Sequence, residues 1–344
     1  MSSGKRFVVE ALGRVAAGGV AELGRHLVAA YQPEASWRGS HPLNQATGVA
    51  EIEAQVWRPL LRALPDLERR DLMVLQGHHA GNDVVGAVGH YLGTFRSDWL
   101  GIPATGQPVY LRYGEMHALA GGRIVQTTML IDVLDLMRQA GCWPLGPSTG
   151  TEGTWPGPFG GEGVLRLDRI DAVQGAVNLA QTLAMHATLG AYNDEASEGR
   201  QGLLEMPQRQ HWHPRMMWYG PAGIGSTRGL DGFVDKHQLP FRIAFPRRRG
   251  SQHYVRIGDG AFSATGGWPS VTAWHGGPFM GSGPTGREVT MRVMDFYHHH
   301  EGLIRENWVP IDIVDLLRQM DVDVFARMRL CLHPRSRSRS EPAG

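Results

Sequence analysis

Apolar residues return at helical spacing near the start of the chain. Phe7, Leu12, Val15, Val20, Leu23 and Leu27 fall on one face of a long amphipathic helix. The pattern recurs at Ile170, Val173, Val177, Leu179, Leu183 and Met185, which predicts a second helix of the same kind. A shorter helical stretch follows each: 52–64, with Trp57, Leu60 and Leu61 inward, and 229–237. Beyond these lie segments rich in Val, Tyr, Thr and Trp, divided by Gly or Pro, which read as strands. Residues 109–117 with 124–131, and 289–297 with 304–311, are predicted antiparallel hairpins. Helices first and an antiparallel sheet afterwards is the α+β layer order, not the alternation of a parallel dinucleotide fold.

The elements recur because the sequence does. Residues 105–139 set against 285–319 without a gap match at 12 of 35 positions, among them Thr105, Gly106, Arg112, Asp132, Asp135, Arg138 and Gln139. An offset of 180 residues is that of two whole domains, not of a solenoid. The expected organisation is a first domain over 1–143, a Gly/Pro linker over 144–163, a second domain over 164–330, and a disordered Arg/Ser tail over 331–344. The two halves are expected to form a pseudo-dimer with their sheets facing each other, and a homo-oligomer is left open.

Charge narrows the partners. With 34 Lys+Arg against 33 Asp+Glu, the 344-residue chain lacks the basic excess of a nucleic-acid footprint. Cys142 and Cys331 are too few for a disulfide framework or a cysteine-rich zinc site, and fit a reducing compartment. The N-terminus, broken by Glu10, Arg14, Glu22 and Arg25, has neither signal-peptide nor spanning character. A cytoplasmic protein without membrane contact, acting on a small molecule, is the expectation.

Trp99-Leu-Gly-Ile-Pro-Ala-Thr-Gly106, Gly122-Arg-Ile124, and Asp132 with Leu136-Met-Arg-Gln139 resemble the signature of the SnoaL-like polyketide cyclases. Gly283-Pro-Thr-Gly286, Ile304, Glu306-Asn-Trp308, Asp312 and Leu317-Arg-Gln319 repeat it, and Trp57-Arg-Pro-Leu60 resembles the family's second helix. The resemblance implies the nuclear transport factor 2 fold twice over: two tandem cone-shaped barrels, each with N-terminal helices packed on a curved antiparallel sheet. It also implies ring closure by intramolecular aldol condensation without metal or cofactor. Fold alone does not give the reaction, because isomerases, hydrolases, dehydratases and plain binders share it.

By the same resemblance, Asp312 and Asp132 stand where the family keeps its acid/base, and His298, fourteen residues before Asp312, where it keeps a polarising histidine. The first repeat has Ala118 there, which points to the second domain. A carboxylate in an apolar pocket suits proton transfer because desolvation raises its pKa. The competing reading is structural: both aspartates precede a helix and would cap it. If the turn pairs 298 with 306, one strand face holds Phe296, His298, Glu306, Trp308 and Asp312. Glu115, His117, Asp295 and Tyr297 then lie on the other face, expected to meet the opposite repeat or to build a cross-domain site. His213, Trp218, Trp268, Trp274, His275 and Trp308 are candidate walls for a flat apolar substrate, with core packing as the alternative for each.

Other signals are set aside. The glycine-rich run 220–229 lacks a P-loop lysine, and Arg228 beside it is a better anion candidate than the loop Arg247-Arg-Arg249. His298-His-His300 cannot turn three rings to one metal, so no metal and no cofactor is expected. The sequence therefore predicts Asp/His acid–base chemistry on a carbonyl-rich apolar molecule. The alternatives are a non-catalytic small-molecule binder, or a hydrolase or dehydratase in the same pocket.

Overall fold

The computed structural model describes residues 4–191, 199–250 and 253–337. Two six-stranded sheets share one topology, β2-β1-β6-β5-β4-β3 and β8-β7-β12-β11-β10-β9. In the first domain α1 (Gly4–Ala17) and α2 (Gly19–Ala30) lead into β1 (Tyr31–Gly39), β2 (Gln45–Thr47), α3 (Gly48–Ile52) and α4 (Arg58–Ala63). β3 (Glu68–His79), β4 (Asn82–Thr94), β5 (Pro108–Ala120), β6 (Arg123–Ile131) and α5 (Val133–Gln139) complete it. The second domain repeats the series with α6 (Ala172–Ala191), α7 (Gly199–Glu205), β7 (Trp212–Tyr219), β8 (Thr227–Arg228), α8 (Gly229–Phe233) and α9 (Leu239–Ala244). β9 (His253–Asp259), β10 (Phe262–Trp274), β11 (Glu288–His300), β12 (Leu303–Trp308), α10 (Ile313–Gln319) and α11 (Val324–Arg337) follow. Each sheet is antiparallel except for one parallel pair, β1 with β6 and β7 with β12.

Three expectations need correction. The first helix is two, broken after Gly18, because Gly19 takes φ +65°, a left-handed conformation that ends one helix and starts the next. The second helix packs with a different face from the one its apolar residues suggested. Gly175, Asn178, Thr182 and Met185 are buried, whereas Ile170, Val173 and Val177 are exposed. A Cβ at Gly175 would stand 2.3 Å from the backbone of Gly258, so the glycine sets how closely helix meets sheet. Asn178 then donates to Gly260 O at 2.7 Å, and Thr182 bonds Ser263 Oγ at 2.7 Å, so polar groups fix this contact. Finally, α11 carries helical backbone through Arg337, into the segment expected to be disordered, and 338–344 lie outside the described residues.

The sheets face each other, as the repeat implied. Met73, Leu75, Val88 and Met116 of the first meet Val255, Ile257, Ala264, Met294, Phe296 and Trp308 of the second in one buried cluster. Contact is close enough that a Cβ at Gly114 would lie 2.5 Å from Pro310, and one at Gly77 2.7 Å from Ile257. Residues 144–163 are a packed strap rather than a loose tether. Gly150 and Thr151 bond Ile224 and Ser226, Trp155 joins the shared core, and Pro156 O accepts from Trp308 Nε1 at 2.9 Å. At the end of the interface Lys5 Nζ donates to Asp259 Oδ2 at 2.6 Å, both side chains being almost fully buried.

Asp132 and Asp312 lock the halves together by equivalent bonds. Each carboxylate caps its own helix, accepting from Asp135 N at 3.0 Å and from Asp315 N at 3.1 Å. Each also accepts a backbone N–H from the opposite domain, Ala222 N to Asp132 and His41 N to Asp312, both at 2.9 Å. Arg112 and Arg292 complete the two sets. Removing one carboxylate orphans two N–H groups and leaves the arginine only its second partner, Asp135 or Asp315. Asp132→Ala and Asp312→Ala should therefore each cost about 2–4 kcal/mol in urea unfolding, and Asp312→Asn, which keeps the cap, distinctly less.

Candidate active site

Strand register decides which side chains can do chemistry. His298 pairs with Glu306 and Phe296 with Trp308, as the assumed turn requires, so Phe296, His298, Glu306 and Trp308 share a face. That face is the one against the other domain, the reverse of the orientation expected. His298 sits between two carboxylates, Nδ1 to Glu306 at 2.9 Å and Nε2 to Glu162 of the strap at 2.8 Å. Asp312 is 2 % exposed and occupied by its cap, His41 and Arg292. Burial raises its pKa, and raises that of Asp132 to about 6. Neither aspartate opens into the second domain's cavity.

Glu115, His117, Asp295 and Tyr297 instead point into the concave sides of their cones. In the first domain that space is filled. Arg69 donates to Glu115 at 2.5 Å and to Tyr91 Oη at 2.8 Å, and pairs with Asp71 at 2.7 Å. Tyr91 donates to Glu115 at 2.7 Å, Tyr113 to Asp71 at 2.6 Å, and His117 bridges Glu115 and Thr127. Burial alone would raise the Glu115 carboxyl, but Arg69 and His117 hold it down at about 2. A carboxylate so paired is a poor base.

The second domain keeps the register and loses the filling. Val271 and Val293 occupy the places of Tyr91 and Tyr113, one repeat further on, and Arg249, which bridges Thr272 as Glu68 pairs with Leu92, turns outward to Glu288, so Gly250 stands where the first domain has Arg69. What remains is a cavity of about 210 Å³. Its walls include Trp212, Trp218, Phe233, Phe241, Met291 and Val309. A π-helical turn, Val234–Gln238, brings His237 onto Trp218 with ring centroids 4.1 Å apart.

Asp295 faces this space. Desolvation lifts its carboxyl to about 6, opposed by bonds from Asn307 and Tyr297. Asn307 Nδ2 lies 3.4 Å from Oδ1, and the Tyr297 hydroxyl is 2.7 Å from His186 Nε2. Burial beside His253 and Arg256 pushes His186 down to about 3, so at neutral pH its ring is uncharged. With Tyr297 donating to Asp295, His186 Nε2–H donates to Tyr297. His186 Nδ1 then has no partner among the described residues. The result is a relay, His186 to Tyr297 to Asp295, in an apolar pocket.

Of the other candidate wall residues, only Trp218 lines the cavity. Trp308 stacks on Tyr219 and bonds the strap, and Trp268 lies under Arg38 and Arg292 at the domain interface. His275 is buried against Phe245 and accepts from Thr285 N, His213 accepts from Arg215 N, and Trp274 is exposed beside Arg247. Sequence reasoning missed His186, His237, Asn307 and Arg242. The 180-residue offset could have found Asn307, which stands where the first domain has the buried Thr127. His299 bonds Thr182, Ser263 and Gln181, away from His298. Among the described residues no three His, Cys, Asp or Glu side chains converge as metal ligands, and no helix is long and apolar enough to cross a membrane.

The family model of the SnoaL-like polyketide cyclases matches residues 26–140 and again 205–320. No curated protein matches the chain. Among solved structures, a Jannaschia sp. CCS1 protein named for the SnoaL-like polyketide cyclases is 22% identical; the match covers 38% of this chain and 90% of that one, with a TM-score of 0.32. IdmH from Streptomyces antibioticus is 19% identical over 40% of this chain and 99% of its own, TM-score 0.34. An NTF2-like protein from Burkholderia thailandensis E264 is 22% identical over 41% and 98%, TM-score 0.31. Both halves of the chain thus match one family model, and the protein belongs to the SnoaL-like polyketide cyclase family, with the family's domain present twice.

Proposed function

We propose that this protein is an acid–base enzyme whose active site is the cavity of the second domain, and that it closes a ring by intramolecular aldol addition in a carbonyl-rich apolar molecule. Family membership supports a cyclase- or isomerase-type function. The observation that carries the finer reading is Asp295, a carboxylate raised to about 6 in an apolar cavity, with the Tyr297 hydroxyl and the Asn307 amide beside it.

Ionised Asp295 removes a C–H proton flanked by two carbonyls. The electron pair moves onto the carbonyl oxygen, where Tyr297 and Asn307 are the donors at hand to stabilise the enolate. Attack of the enolate carbon on a second carbonyl forms the ring bond and an alkoxide, which takes the proton back from Asp295. The proton leaves and returns, so the step balances without oxidant, reductant or co-reactant. Asp132, Asp312 and His298, where the resemblance placed the acid/base and its histidine, serve the domain interface in this reading, and the first domain serves as scaffold.

Asp295→Asn should lower turnover of a poly-carbonyl substrate roughly 10²–10⁴-fold, the usual worth of acid–base catalysis, while Asp312→Asn keeps it. The wild-type rate should rise with pH through about 6, as Asp295 ionises. Stability should run the other way. Because the folded pKa lies above the unfolded value, the native state loses stability as pH rises through the folded value. Asp295→Asn should then stabilise the protein by about 1–2 kcal/mol at pH 8 and by nearly nothing at pH 4, a contrast read by denaturant unfolding. Loss of activity in Asp312→Asn with Asp295→Asn unimpaired would return the acid/base to the interface.

The cavity itself is tested by filling it. Val293→Phe places a ring where the first domain has Tyr113, and should weaken binding of a flat probe such as 2-naphthamide by roughly tenfold or more, with the melting temperature held or raised. Unaltered affinity would place the binding site elsewhere.

A further inference from the structure

Most polar groups on the cavity wall are engaged with one another. Asn307 and Tyr297 serve Asp295, His186 serves Tyr297, and Arg249 pairs with Glu288 at the rim. His237 differs. Its half-buried ring has no hydrogen-bond partner among the described residues, and neither nitrogen is sealed off by packing as Nδ1 of His186 and of His253 are. Other rings hold it in place instead. Trp218 is stacked on it, and Phe233 and Phe241 each lie 5.4 Å away, centroid to centroid. Trp218 pairs in the sheet with Asn307, and Asn307 with Tyr297, so the imidazole rests against the end of the row that carries the donors. Burial, and then the charges of Arg242 and Arg248, push its pKa down to about 3. At neutral pH the ring is therefore uncharged and has one N–H to donate.

The first domain supplies a comparison. It has the same π-helical turn, Glu53–Trp57, and in both domains the second residue after the turn is proline, Pro59 or Pro240. The fourth residue of the first turn is Val56, packed in the filled cone; the fourth of the second is His237. An apolar residue stands where the cone is closed, and a polar ring where it is hollow.

Resting on the assignment of this cavity as the active site, we propose that His237 is a second catalytic residue, whose N–H binds the carbonyl that the enolate attacks. Asp295, Tyr297 and Asn307 handle the carbonyl that loses its neighbouring proton. The hydrogen bond from His237 polarises the electrophilic carbon and strengthens as negative charge gathers on its oxygen. A neutral imidazole suits this place because it keeps its own proton. The alkoxide is protonated by Asp295, so the step stays balanced. The arrangement also defines the substrate class: at least two carbonyl groups, far enough apart to reach β11 and the π-helical turn together.

His237 and Phe241 also border a second cavity of about 250 Å³, lined in part by Leu145 and Thr149 of the strap, and the test separates the two spaces. It uses the full chain and two probes of one shape, 2-acetonaphthone and 2-isopropenylnaphthalene, in which a methylene replaces the ketone oxygen. Binding is followed by quenching of Trp212 and Trp218, which line the first cavity. The ketone should bind roughly tenfold tighter than the alkene, the worth of one well-made hydrogen bond. His237→Phe keeps a ring against Trp218 but has no N–H. It should remove most of that preference and leave the alkene affinity unchanged, which also controls for folding. His237→Gln, which restores an N–H donor, should recover part of it. Turnover in His237→Phe should fall roughly 10²-fold, as loss of an oxyanion donor does. Val293→Phe, which fills the first cavity, should weaken both probes, and Leu145→Trp, which fills the second, neither. Equal affinities in the wild type, a ketone preference or a turnover that His237→Phe leaves whole, or loss of binding in Leu145→Trp alone would overturn the proposal. If Asp295→Asn keeps full turnover while the ketone preference depends on His237, the catalytic reading fails and the His237 contact stands. If turnover falls and the preference does not depend on His237, the reverse holds.

Discussion

Each sheet has two faces, and one of them is committed to the other domain. The rest of the structure depends on this constraint. Once Met116, Met294, Phe296 and Trp308 are buried between the sheets, every second residue of β5 and β11 must turn into the concave side of its own cone. Glu115 and His117 in one half, and Asp295 and Tyr297 in the other, therefore point inward whatever their chemistry. His298 and Glu306 are confined to the interface by the same parity. The interface is also polar enough to be specific. The two capping aspartates, the buried Lys5–Asp259 pair and the His298–Glu162 contact each join groups that only this docking brings together.

Within that frame the two cones solve the same packing problem in opposite ways. Space enclosed by helices and a curved sheet can hold large side chains or be left hollow. The first domain fills it with Tyr91, Tyr113 and Arg69, and the buried charges are tolerated because Asp71, Glu115 and His117 satisfy them completely. The second puts valines at both tyrosine positions. Without the arginine inside, Asp295 has no cation to hold its pKa down, and desolvation raises it. Emptying the cone and raising the pKa of the carboxyl are one change, since the same side chains supplied the volume and the counter-charge.

How much of this was legible in the sequence follows from what each signal measures. The repeat reported two like domains because identities at turns and helix caps survive divergence. The pairing of 298 with 306 followed from turn position, and the grouping of side chains by face followed from period two. Which face met the other domain did not follow. Both faces of β11 are buried, one by the partner sheet and one by helices, so alternation carries no sign. α6 misled for a related reason. Its sheet contact is made by Gly175, Asn178 and Thr182, residues that a hydrophobic pattern does not count. The family motif led to Asp132 and Asp312, whose position before a helix described their observed contacts; the residues lining the cavity came from helices and strands scattered along the second domain, and no linear spacing joins them.

Tandem duplication explains why the two cones were free to part. In a homodimer of identical chains, replacing Tyr91 or Tyr113 would hollow both cones at once, and the stability of the filled network would be lost twice. Joined in one chain, the halves mutate separately. One can keep a rigid, self-neutralised core while the other carries the less stable arrangement, a cavity with a raised carboxyl. Function commonly sits at such strained places, and stability is supplied elsewhere. Here the supply is local: the filled cone lies directly behind the shared core against which β11 and β12 present Asp295, Tyr297 and Asn307. A rigid sheet on one side of the interface holds the register of the sheet on the other. Under the proposed function, the domain with the filled cone thereby positions the side chains of the domain with the open one.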